Sequence, residues 1–180
     1  MASIITATVA SGLTQSADNS GVLQLASGTG NLVTVPSVTG TAMVSGNMPA
    51  FSAYNSVGQS ISSATFTKVQ FQTEEFDTAN CFDSTTNYRF TPNVAGYYQI
   101  NAAVNKTSSA TEMQCLIYKN GSVYKSGNNG STAYGESNSA LVSMNGSTDY
   151  IEIYTYFGAS GSTTSNVNGT WFQGVLVRAA

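Results

Sequence analysis

Few residues in this chain could do chemistry, and they are poorly grouped. The densest run of carboxylates is Glu74-Glu75 with Asp77, the only thiols are Cys81 and Cys115, and there is no histidine. Paired carboxylates can hydrolyse a glycosidic bond or hold calcium, provided their oxygens converge. Adjacent residues of an extended chain point to opposite faces, so Glu74 and Glu75 converge only if the backbone bulges between them. The plainest reading is a set of solvated loop carboxylates, with calcium the one ligand left open and no other cofactor. Without histidine there is no Ser-His-Asp or Cys-His arrangement, and the many serines lack an evident activating base. Two thiols are too few for a structural zinc site. The expectation is a protein that is not an enzyme.

Cys115 alternates with Met113 and Ile117, the pattern of a buried thiol in a strand, whereas Cys81 beside Phe82 could be buried or paired. Asn-x-Ser/Thr patterns occur at Asn105, Asn120, Asn129, Asn145 and Asn168, and the last four begin with Asn-Gly. A preference for tight turns produces that combination unaided, so these positions read as turns. Glycosylation would require passage through a glycosylating compartment.

Charged residues make up only 8% of the 180, with six basic and nine acidic side chains and a net charge of −3. A typical soluble domain has about 25%. The surface is therefore polar without being charged, which suits a subunit held in an assembly. Six scattered basic residues give no footprint for nucleic acid. No apolar run is long enough for a membrane span, so membrane insertion is not expected. The stretch from Met1 to Gly12 lacks a basic start and a sustained apolar core, and does not read as a secretory signal.

The pattern most informative about structure runs from Asn80 to Val104. It predicts a short strand ending at Phe90, a rigid corner at Pro92, and a longer strand opening tightly at Gly96, in which Tyr98, Ile100, Ala102 and Val104 share one side. Phe90 and Tyr98 are candidate core residues. Before it, Phe51 opens a short strand, and Phe66–Gln72 alternates with Val69 and Phe71 on one face. After it, alternation over 112–119, 138–144, 150–157 and 170–177 is punctuated by Asn-Gly pairs. Many short strands, frequent turns and no helical period indicate an all-β antiparallel sandwich. Residues 1–49 differ: Val22–Leu25 and Asn31–Val35 could pair as a small hairpin, followed by a linker over Ser37–Pro49. The expected division is an amino-terminal anchoring segment and linker, 1–49, and a head, 50–180.

Several head strands carry large apolar residues on both sides: Tyr97 opposes Tyr98, while Tyr150, Tyr154 and Tyr156 oppose Ile151, Ile153 and Phe157. One sandwich interior needs only one dry face per sheet, so the excess predicts an interface between copies, with Tyr98, Tyr154, Tyr156 and Phe172 as candidate contributors.

Residues 50–178 resemble the C1q/tumour-necrosis-factor-like head domain. The resemblance lies in Phe51-Ser-Ala-Tyr54, in Tyr88-Arg-Phe-Thr-Pro-Asn-Val-Ala-Gly-Tyr-Tyr98, in Ile117-Tyr-Lys-Asn-Gly121 and in the closing Phe172-Gln-Gly-Val-Leu-Val177. It implies a jelly roll that forms a compact homotrimer. The stretch Ser11–Leu25 looks like segments that precede fibre or decoration domains in structural proteins of tailed bacteriophages. Together these imply a non-enzymatic virion subunit in a fibre, neck or capsid decoration. Its amino-terminal segment would dock on other virion proteins and its head could touch a host-surface protein or glycan. A soluble C1q-like module recognising a protein or glycan is the other reading; the chain has no Gly-X-Y stalk.

Overall fold

The computed structural model describes residues 23–26, 32–35, 48–108, 112–130 and 134–180. The chain falls into two compact units, Met1–Thr41 and Ala42–Ala180. In the first, β1 (Leu23–Ala26) pairs antiparallel with β2 (Leu32–Val35), Leu23 opposite Val35. The expectations for residues 1–22, the hairpin's turn and most of the linker lie outside the described residues.

The second unit is an antiparallel jelly-roll sandwich. One sheet is ordered β12 (Gly135–Met144), β9 (Gly96–Asn105), β15 (Trp171–Ala179), β3 (Ala50–Tyr54), β6 (Thr73–Asp77). The other runs β11 (Ser122–Ser126), β10 (Met113–Lys119), β13 (Ile151–Phe157), β8 (Arg89–Phe90), β7 (Phe82–Asp83), with β5 (Thr67–Lys68) also on β13. A small ladder of β14 (Gly161–Ser162) on β4 (Ser60–Ile61) stands apart from both. Every strand pair is antiparallel, so one face of each sheet can be dry and the other free.

Alternation builds the core. Along β9, Tyr98, Ile100, Ala102 and Val104 are buried, while Tyr97 on the opposite face is exposed. Across the gap, Met113, Cys115 and Ile117 of β10 and Ile151, Ile153 and Phe157 of β13 supply the facing layer. Asn120-Gly121 makes the tight hairpin between β10 and β11, both residues at positive φ (53° and 77°) and Lys119 opposite Ser122.

Two expectations are corrected. The strand read over Phe66–Gln72 is shorter than expected: it is paired at Thr67–Lys68, Val69 N still donates to Ile153 O (2.8 Å), and then side chains take the backbone groups of Gln70, Asn55 Nδ2 donating to Gln70 O (2.7 Å) and Gln70 N donating to Gln59 Oε1 (2.9 Å). Val69 and Phe71 are nonetheless buried as the pattern required. The carboxylates Glu74, Glu75 and Asp77 lie not in a loop but on edge strand β6. Charged side chains are a common way to keep such an edge from pairing with another chain.

Candidate functional site

Phe51 organises the interior. Its ring stacks on Phe82 (centroids 4.9 Å apart, 8°) and Phe90 (4.4 Å, 20°), and meets Phe172 edge to face at 4.8 Å. Phe90 in turn packs edge-on against Tyr98 at 5.4 Å. This cluster joins β3 and β15 of one sheet to β7 and β8 of the other. Tyr98 and Phe172 were candidates for an interface between copies; both are wholly buried within one chain and have no ring surface left to offer a neighbour. Tyr98 donates its hydroxyl to Val94 O (2.7 Å), and burial, followed by the nearby Cys81, raises its pKa. Gly96 opens β9 where the chain crowds β15: a Cβ there would lie 2.4 Å from Arg178 O and 2.7 Å from Leu176 Cδ1.

The acidic cluster does not converge. The backbone does bulge at Glu75, since Ser52 pairs with Phe76 and Ala53 with Glu74. Even so, Glu74 accepts from Ser84 Oγ (2.6 Å) and Glu75 from Ser52 Oγ (2.7 Å), while Asp77 accepts from Ala79 N and Phe82 N. Each carboxylate is committed to a different neighbour. Among the described residues no three His, Cys, Asp or Glu side chains are grouped to hold a metal. Asp83 caps its own loop, accepting from the backbone N–H groups of Thr86, Thr85 and Asn87. Those bonds, Thr86 foremost, hold its carboxyl far below the usual carboxylate range. Both thiols are buried and unpaired, which resolves the alternatives left open for Cys81; burial pushes Cys115 up to about 12 and also raises Cys81. Neither is an activated nucleophile.

The two outer faces differ in chemistry. On the six-stranded sheet the outward rings pair with groups of the same chain, although Phe66 and Tyr124 remain 50 and 37% exposed. Tyr118 stacks on Tyr154 (3.9 Å, 19°), Phe66 leans on Tyr156 (5.1 Å), Arg89 covers Tyr150 (4.4 Å), and Lys68 pairs with Glu152 (3.1 Å). Burial, then Glu152, raises the pKa of Tyr154. The free face of the five-stranded sheet is different. At one end Tyr97, Leu141, Val175 and Val177 are 43, 54, 40 and 57% exposed. Leu141 lies opposite Gln99, which lies opposite Val175, so these side chains sit on neighbouring strands. Next to them is an uncharged network in which Gln99 Nε2 donates to Ser139 Oγ (2.8 Å) and Ser139 Oγ donates to Asn101 Oδ1 (2.8 Å). Reading the sequence located Tyr97 but missed Leu141, Val175 and Val177. The alternation of β12 and β15 carries that signal, once the buried Val142 and Leu176 fix which set faces inward.

No protein-family profile matches this chain, and no curated protein matches it in sequence. Solved structures do match. Murine APRIL aligns over 72% of this chain and 99% of its own, at 11% identity and a TM-score of 0.59. The globular domain of zebrafish complement 1qA aligns over 73% and 98%, at 18% identity and 0.54. PRD1 vertex protein P5 aligns over 71% and 93%, at 18% identity and 0.51. At such identities the likeness is one of fold. The chain carries an antiparallel jelly-roll sandwich of the C1q/tumour-necrosis-factor fold.

Proposed function

We propose that residues 50–180 form the working head of a recognition protein, a homotrimer that binds a protein or glycan outside the cell, with residues 1–49 serving as an anchoring segment. The observation that carries this reading is the contrast between the two outer faces. Most aromatic side chains on the six-stranded sheet pair with one another, Phe66 staying half exposed, whereas Tyr97, Leu141, Val175 and Val177 form an exposed apolar cluster on the five-stranded sheet with no such pairing. An apolar patch beside an uncharged amide network, in a chain of only 8% charged residues, can be covered by identical copies at little desolvation cost. The fold likeness to a complement globular domain and to murine APRIL supports a soluble binding module. Light scattering at micromolar concentration tests the assembly: a trimer mass is expected, and a single-chain mass would defeat it.

The second reading is a virion subunit, a fibre, neck or decoration protein held to a particle through residues 1–49. The fold likeness to PRD1 vertex protein P5 favours it. Finding the chain at fixed copy number in purified particles would select this reading; a free trimer absent from particles would select the first.

A further inference from the structure

The geometry points to Asn168 as a site of spontaneous deamidation, the one Asn-Gly pair of this head whose side chain the fold leaves free to react. In that reaction the backbone nitrogen of the following glycine, having given up its proton, bonds to the asparagine Cγ. The Cγ–Nδ2 bond breaks and ammonia leaves. One water then opens the resulting ring at either carbonyl, giving aspartate or isoaspartate. No oxidant or cofactor is needed; the side chain must only be able to swing onto the glycine nitrogen.

The sequence has four such pairs, and the fold treats them differently. Asn120 is fixed at both ends of its amide, donating to Asp149 Oδ1 (2.7 Å) and accepting from Tyr150 N (2.9 Å). Asn145 accepts the backbone N–H groups of Ser147, Thr148 and Asp149 and donates to Thr148 Oγ1. Asn129 donates to Glu112 Oε1, and its glycine nitrogen is itself tied to Met113 O (3.0 Å). Asn168 is exposed, at the turn leading into β15, and its side chain makes no hydrogen bond among the described residues. The reacting nitrogen belongs to a buried glycine and is held by a long 3.2 Å bond from Gly169 N to Asn166 O, so the freedom at this site lies in the asparagine side chain.

The fold also favours the glycine that makes this pair labile. A Cβ at Gly169 would lie 2.2 Å from Thr164 Oγ1 and 2.8 Å from Asn166 Oδ1, so a larger residue there must first displace those two side chains. The consequence is local. Asn168 lines a shallow depression with Glu75, Ser52 and Trp171, beside the free face of the five-stranded sheet. Conversion adds a negative charge next to Glu75 in a chain already at −3. The inference rests on turn and side-chain geometry and stands whether or not the head is a trimer.

The experiment is incubation of the full chain in mildly alkaline buffer at body temperature, with peptide mass mapping of all four sites over time. Asn168 should convert first, with both aspartate and isoaspartate products. Because the charge-assisted bond at Asn120 must be broken before its side chain can swing, that site should be slower than Asn168 by at least about tenfold. Asn168→Gln should abolish the earliest acidic species. Asp149→Ala, which removes the partner of Asn120, should speed conversion at Asn120 and leave Asn168 unchanged. Asn168 remaining an amide while another pair converts, or all four converting at one rate in the folded protein, would overturn the inference.

Discussion

At the scale of single residues, Phe51 has the largest expected effect. It touches Phe82, Phe90 and Phe172 at once, so truncation removes contacts from both sheets and leaves a cavity that neither can close alone. Phe51→Ala should destabilise the head by about 3–5 kcal/mol, read as a lower urea midpoint. Asp83 governs a different property. Its carboxyl titrates lower in the folded head than in the unfolded chain because Thr86, Thr85 and Asn87 donate to the ionised form. A depressed folded pKa gives stability that is present above the unfolded value and lost as pH falls through the folded one. Asp149, held low first by Asn120 and then by Lys119, acts in the same sense. The urea midpoint should therefore fall progressively between about pH 5 and pH 1, and Asp83→Asn should make that fall shallower.

At the scale of elements, the strands with sustained alternation were legible: β9, β13 and β15 lie within a residue or two of where the pattern put them, and β12 begins three residues earlier. Alternation says which residues share a side, not which side meets the second sheet. That is why Tyr98 and Phe172 could be read as interface residues although they belong to the core. The strand over Phe66–Gln72 was misjudged because Asn55 and Gln59 replace ladder bonds with side-chain bonds, which periodicity cannot reveal. The Glu74–Asp77 edge strand was missed because its side chains are mostly exposed and carry no alternation. The hairpin of β1 and β2 belongs to a unit distinct from the head. Deleting residues 1–36 should accordingly leave the head's circular dichroism and melting temperature unchanged. A loss of cooperative melting would show that the two units depend on each other.

For the whole molecule, the question is what the free face of the five-stranded sheet meets. A specific interface generally buries at least about 1,000 Å² in total. The exposed end around Leu141 and Val175 would be its apolar centre, with the Gln99, Asn101 and Ser139 network beside it. Placing a carboxylate there without a partner is costly when the face is covered and harmless when it is open. If the proposed trimer uses this face, Leu141→Asp should convert it to single chains in light scattering while keeping the β-sheet spectrum. Tyr156→Ala, on the opposite sheet, should leave the assembly intact. A trimer unmoved by Leu141→Asp would place the contact elsewhere.

The position of β15 also bears on how the protein is made. It is the last of the head's strands in chain order, yet it lies in the sheet interior, paired to β9 on one side and β3 on the other. Until residues 171–179 leave the ribosome, both neighbours present unpaired edges and the aromatic cluster lacks Phe172. The head cannot be completed piecemeal during synthesis; closure waits for the final strand and then brings together segments more than a hundred residues apart, a slow kind of search. A nascent chain halted just short of Trp171 is therefore the form most exposed to aggregation and most in need of a chaperone.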